Sequence, residues 1–227
     1  MPALATDSAV SLERPEARLL LHCARPSPVP ETREALRADL QSNPDWDWIL
    51  ETARSNSLLP MLYGYVREHL ADVLPPNRLT DLASRYETNA RRNLFLAAEL
   101  LRVLKVLEDA GVSAVPFKGP VLAARAYGDL TLRQFLDLDL LLPATDMRAA
   151  IAVLLDHGFE PFIDVPAHAE NLFFQFECEY VLVRPKPRYL LELHWGLTTK
   201  RLGLPLSFEE LSEHLDTVTL CGRPVPA

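Results

Sequence analysis

The stretch Phe135-Leu-Asp-Leu-Asp-Leu-Leu-Leu142 decides how this chain is read. Alternate residues of a strand share one face. As a strand, it points Asp137 and Asp139 one way and Leu136, Leu138, Leu140 and Leu142 the other. A rise of about 3.3 Å per residue puts the two aspartate Cα atoms roughly 6.5–7 Å apart. Carboxylates that close repel unless something positive lies between them. Hard oxygen ligands at that spacing suit Mg²⁺ or Mn²⁺. A half-exposed strand with a solvated acidic face is the other reading of the same residues.

Outward from this strand the chain divides in two. Before it, the apolar period is helical. A short helix is predicted near Glu13–Cys23, and prolines 26, 28 and 30 mark a linker. A second short helix is predicted over 31–42. Asp45 is a candidate N-cap for a third, with Trp46, Ile49, Leu50 and Ala53 at helical spacing. Pro60 opens a fourth, and Pro75-Pro76 ends it. A long amphipathic run follows from about Asn77 to Asp109, with Gly111 as its stop. Beyond Gly111 the pattern alternates. Strands are predicted at Val112–Phe117, Phe135–Leu142 and Arg188–Trp195, with one or two more in Leu172–Arg184 and a last one at Asp216–Cys221. Helices are predicted at Pro120–Tyr127, from Thr145 or Asp146 to His157, and at Ser207–Leu215. The expected fold class is α+β, with three parts: a flexible segment 1–30, a helical subdomain 31–110 and an α/β domain 111–227. The stop at Arg223-Pro-Val-Pro-Ala227 is abrupt and fits a piece of a longer chain.

Composition narrows the function. The chain has 227 residues, enough for one large domain or two small ones. Its formal charge of -8 argues against general nucleic-acid binding. No apolar stretch approaches the length of a membrane span, and the N-terminus lacks the basic start and apolar run of a secretion signal. Three scattered cysteines form no CxxC pair, so neither a disulfide framework nor a zinc knuckle is suggested. The expectation is a cytoplasmic protein without membrane contact.

Two further stretches carry chemistry. In Pro116-Phe-Lys-Gly-Pro120 a strand hands over to a helix. Gly119 lets the backbone approach a phosphate, the helix start offers N–H groups, and Lys118 adds a point charge. A plain strand-to-helix turn with an exposed lysine is the alternative. In Arg188-Tyr-Leu-Leu-Glu-Leu-His-Trp195, a strand puts Glu192 and His194 on one face. Glu192 can then add a third carboxylate, and His194 is either its polar neighbour or a structural histidine. Tyr127 is read as a packing residue.

Taken in order, Lys118-Gly119, Tyr127, Arg133, Asp137-x-Asp139 and Glu192-Leu-His194-Trp195 resemble the uncharacterised bacterial nucleotidyltransferase family of the DNA polymerase β-like superfamily. The resemblance covers about Val112–Trp195. It implies a mixed sheet flanked by helices behind the helical N-terminal part. It implies Mg²⁺ or Mn²⁺ as cofactor and an NTP as substrate. Asp137, Asp139 and Glu192 would be the catalytic and metal-binding residues. Lys118, Gly119, Arg133 and His194 would bind the nucleotide, with Arg133 pairing a phosphate or a nearby acid. The implied reaction moves NMP from the NTP to a hydroxyl-bearing small-molecule or protein acceptor by a two-metal mechanism. The sequence departs from the superfamily turn at Pro120, which has no N–H to offer a phosphate, and the gap from Gly119 to Asp137 is longer than the common spacing.

Three other functions fit parts of the same pattern. One is a catalytically inactive member of this fold, kept as a nucleotide sensor or partner-binding module. Another is an antitoxin-like protein that modifies or sequesters a partner. The third is a nucleotide-sugar glycosyltransferase using its own DxD metal site. The helices preceding the acidic strand count against the glycosyltransferase.

Overall fold

A computed structural model describes residues 14–24, 33–41, 44–198 and 208–227. The chain forms two compact units. Among the described residues, one contains those up to Arg91 together with Thr131–Gln134, and the other contains Arg92–Leu130 and those from Phe135 onward.

The first unit is helical. It holds α1 (Pro15–Cys23), α2 (Arg33–Gln41), α3 (Trp46–Ser55), α4 (Leu59–His69) and the first part of α5 (Pro76–Asp109). The predicted cap is present: the Asp45 carboxylate accepts from the Trp48 N–H at the start of α3. The helical stripe of α3 is the buried one, with Ile49 and Ala53 fully enclosed. Leu19, Leu62, Val66, Leu70 and Leu82 complete this core. The Asn89 amide donates to the backbone carbonyls of Thr131 and Arg133, which ties the 131–134 segment to α5. The linker expected at residues 26–30 lies outside the described residues.

The second unit is mixed. Its five-stranded sheet has the order β1 (Val115–Phe117), β2 (Asp137–Leu141), β5 (Tyr189–His194), β4 (Glu179–Arg184) and β3 (Glu160–Pro161). Only the β2–β5 pair is parallel. Helices α6 (Gly119–Tyr127), α7 (Met147–Asp156) and α8 (Glu170–Phe176) connect the strands. Past α9 (Phe208–Ser212), β6 (Thr217–Leu220) and β7 (Arg223–Pro226) make a separate hairpin. This is the mixed α/β architecture, helices first and then a flanked sheet, that the sequence predicted.

One sheet face is built mainly of leucines. Leu138, Leu140, Leu142, Leu182, Leu191 and Leu193 are fully buried there. They pack with Leu96, Leu100, Val103 and Leu107 of α5 and with Met147, Ala150 and Leu154 of α7. At about 25 cal/mol per Å² of apolar surface removed from water, this leucine face fixes the register of the sheet. A slip of one residue would drive Asp137 and Asp139 into that core.

Three local expectations are corrected. The strand begins at Asp137, so Leu136 is exposed and Phe135 is buried instead. Residues 172–176, the start of the strand region expected over Leu172–Arg184, belong to α8. Aromatic residues favour strands only where a pleated surface receives them. Here Phe173 and Phe174 instead stack against Trp195, 6.2 and 5.0 Å away, from the side of a helix. Tyr127, expected to pack, is 40% exposed at the end of α6. β3, of two residues, is too short for alternation to reveal it, and the prolines at 224 and 226 hide β7.

Candidate metal and nucleotide site

The site grows from strand register. Asp139 of β2 lies beside Glu192 of the parallel β5 and opposite Phe117 of the antiparallel β1. Glu179 of β4 lies opposite His194. Directly paired residues share a sheet face. Asp137, Asp139, Glu192, His194 and Glu179 therefore all occupy the face opposite the leucines.

Three of these side chains converge. Ligand atoms of Asp139, Glu192 and His194 all lie within 4.8 Å of one another. His194 Nε2 is 3.3 Å from Asp139 Oδ1 and 3.5 Å from Glu192 Oε2. Asp139 and His194 are each only 4% exposed. His194 Nε2 is buried without a well-directed hydrogen bond, which is costly for a polar atom unless something completes it. Its other nitrogen, Nδ1, faces Glu179 Oε2 at 3.6 Å. A carboxylate behind a histidine is the usual way to fix the ring of a metal-binding imidazole.

The turn between β1 and α6 closes over this group. Lys118 Nζ donates to Asp139 Oδ1 at 2.9 Å and sits 4.9 Å from the centre of the Phe117 ring. Lys118 adopts φ 55° and ψ -145°, which is rare for a residue with a side chain. Gly119 follows at φ 35°, near the Asp137 carbonyl. A Cβ at Gly119 would meet that carbonyl at an ordinary 3.5 Å, so the left-handed backbone, more than space, calls for glycine here. Pro120 lies in the first turn of α6, where a missing N–H costs no helical bond.

The electrostatics are lopsided. Burial pushes the Asp139 carboxyl up, but the His194 imidazole and the Lys118 ammonium outweigh it and hold it below the ordinary aspartate value. Glu192 is shifted the other way: burial raises it first, then the charges of Asp139, Asp137 and Glu179. Three carboxylates, Asp139, Glu192 and Asp137, thus act on Lys118, and Glu179 adds a fourth negative charge at Glu192.

Of the predicted residues, the structure gathers Asp139, Glu192, His194, Lys118 and Gly119. Asp137 stands on the same face, outside the close group, and acts on Glu192 and Lys118 through its charge. Arg133 lies in the segment that belongs to the helical unit, where its carbonyl accepts from Asn89. Glu179 was not anticipated. Only the β4–β5 pairing reveals it, because alternation within Glu179–Arg184 marks no acid as special.

The family profile described as "Uncharacterised nucleotidyltransferase" matches residues 42–227. The chain belongs to this family. The nucleotidyltransferase match takes in most of the helical part as well as the sheet, so the α-helical half is part of what defines the family. A search among curated proteins finds no match. No described helix of this nucleotidyltransferase-family chain is long and apolar enough to cross a membrane.

Proposed function

We propose that the chain moves NMP from an NTP to a hydroxyl-bearing small-molecule or protein acceptor. The observation that carries this reading is the close group of Asp139, Glu192 and His194, set in a family of nucleotidyltransferases. A donor set of two carboxylates and one imidazole, with Asp139 and His194 buried, Glu192 half-buried and Nε2 lacking a well-directed hydrogen bond, fits a divalent cation. Asp139 and Glu192 would hold Mg²⁺ or Mn²⁺, with Asp137 completing a second position and His194 beside them. Bound there, such ions supply charge neutralisation for the triphosphate and a lowered pKa for the acceptor hydroxyl.

The chain's own residues do the rest. Glu179 holds His194 in orientation. Gly119 allows the triphosphate to lie against the start of α6. Lys118, on its flexible stem, exchanges Asp139 for a phosphate oxygen and neutralises it. The acceptor oxygen bonds to the α-phosphorus, the α–β bridging bond breaks, pyrophosphate leaves with the electron pair, and the hydroxyl proton is lost to water.

Calorimetric titration of the four NTPs with Mg²⁺ or Mn²⁺, and again with EDTA, tests this. Metal-dependent binding that disappears in Asp139→Asn is the expected result. Equal binding by that variant would overturn the site. A second reading, a nucleotide-binding module without turnover, is favoured by one observation: Lys118 is bonded to the same Asp139 oxygen a metal would use. Metal-dependent NTP binding without pyrophosphate release would select that reading.

A further inference from the structure

Strand β4 is incompletely covered at its outer edge. β3 pairs only with Leu182 and Val183, and beyond it a single bond runs from the Phe162 N–H to the Val181 carbonyl. A cavity of about 260 Å³ opens there. Its walls are Ile163, Val165, Phe173 and Tyr180, and its carboxylates are Glu177 and Glu179. None of its described lining residues is basic. Phe173 and Tyr180 meet edge to face at 5.8 Å. Burial raises the Tyr180 phenol, and the charges of Asp164 and Glu170 raise it further, so the negative field extends past the rim. Arg148, the neighbouring cation, is engaged with Glu170 at 3.3 Å.

Glu179 joins this cavity to the metal-binding group: it lines the cavity and stands 3.6 Å from His194 Nδ1. Asp139, Glu192 and His194 do not line the cavity, so Glu179 is the link between the two. Aromatic walls with a carboxylate rim suit a compact apolar body bearing a positive charge, through ion pairing and cation–π attraction. The same field repels phosphorylated or carboxylated molecules.

We propose that this cavity is the acceptor subsite and that it selects a hydroxyl compound carrying a protonated amine, with the ammonium held by Glu177 and Glu179. The proposal rests on the nucleotidyl-transfer reading for its chemistry, while binding at the cavity can be measured separately. The probes are tyramine, benzylamine and glucosamine, each beside its N-acetyl derivative, titrated into the full chain without nucleotide. At least one amine should bind about tenfold more tightly than its neutral twin. Glu177→Gln, a change at an exposed position, and Glu179→Gln should each erase that preference, with circular dichroism reporting an intact fold. Equal binding of amines and N-acetyl derivatives, no binding of any amine, or a preference untouched by both variants would each overturn the subsite. Parallel NTP titrations separate the two ideas. Amine preference without metal-dependent NTP binding keeps the cationic subsite and removes nucleotidyl transfer. NTP binding without amine preference removes the subsite alone.

Discussion

The mixed unit contains two partly buried polar networks with opposite construction. In one, Arg102 donates to both oxygens of Glu99, at 3.1 and 2.6 Å. Tyr189 donates to Glu99 at 2.6 Å and accepts from Arg102 at 3.1 Å. One cation meets one anion, and the phenol links them. In the other, Asp139, Glu192 and Asp137 act on Lys118, Glu179 adds its charge to Glu192, and a buried imidazole nitrogen has no well-directed partner. The first network is closed and serves the fold. The second holds more negative charge than its own side chains neutralise, which is the arrangement expected where a cation and a substrate complete the set.

The sharpest way to break this contrast is Asp139→Asn. Loss of a buried ligand should weaken metal-dependent NTP binding by about 100-fold or more, read by calorimetry. If binding persists, the open network is only a fold element like the closed one.

The same Glu→Gln change should have opposite signs in the two networks. Glu99→Gln removes the charge from a satisfied pair and should lower stability by about 1.5–3 kcal/mol in chemical unfolding. Glu192→Gln, measured in EDTA, relieves repulsion from Asp139, Asp137 and Glu179 and should raise the melting temperature slightly. Two variants that both destabilise would erase the distinction.

Lys118→Ala should tighten Mn²⁺ binding in the absence of nucleotide by up to about tenfold, because the ammonium competes for Asp139 Oδ1. The same change should weaken NTP binding. Weaker binding of both would show that Lys118 merely braces the turn.

The smallest effect concerns pH. The Arg102 guanidinium beside Glu99 outweighs burial and holds its carboxyl below the ordinary value. A depressed carboxyl contributes stability that is complete above its unfolded pKa of about 4.3 and is lost as pH falls through the folded value. The stability gap between the native chain and Glu99→Gln should therefore be constant near neutrality and close in acid. A gap that widens in acid would reverse the assignment.

These networks differ in how much of them the sequence showed. Asp137 and Asp139 were legible because a leucine at every alternate position leaves an aspartate only one face to occupy. Glu192 and His194 were legible for the same reason, as two residues of one strand pattern. The Glu99–Arg102–Tyr189 network was not, since Tyr189 lies 87 and 90 positions beyond its two partners, on a strand that pairs with neither. Glu179 was hidden likewise, and α8 was misread because aromatic-rich segments carry no period that separates strand from helix.

The sequence by itself determined the division into a helical half and a sheet half, the acidic strand, the glycine turn and the leucine face. Each follows from local period or backbone preference, which neighbouring residues suffice to set. Tertiary structure alone decided that β5 lies parallel to β2, so that Glu192 meets Asp139. It also decided that β4 brings Glu179 behind His194, and that Lys118 reaches Asp139 from the turn. Those contacts depend on which strands become neighbours. That choice is made by burying the leucine face against α5 and α7, a collective gain that no single stretch of the chain encodes.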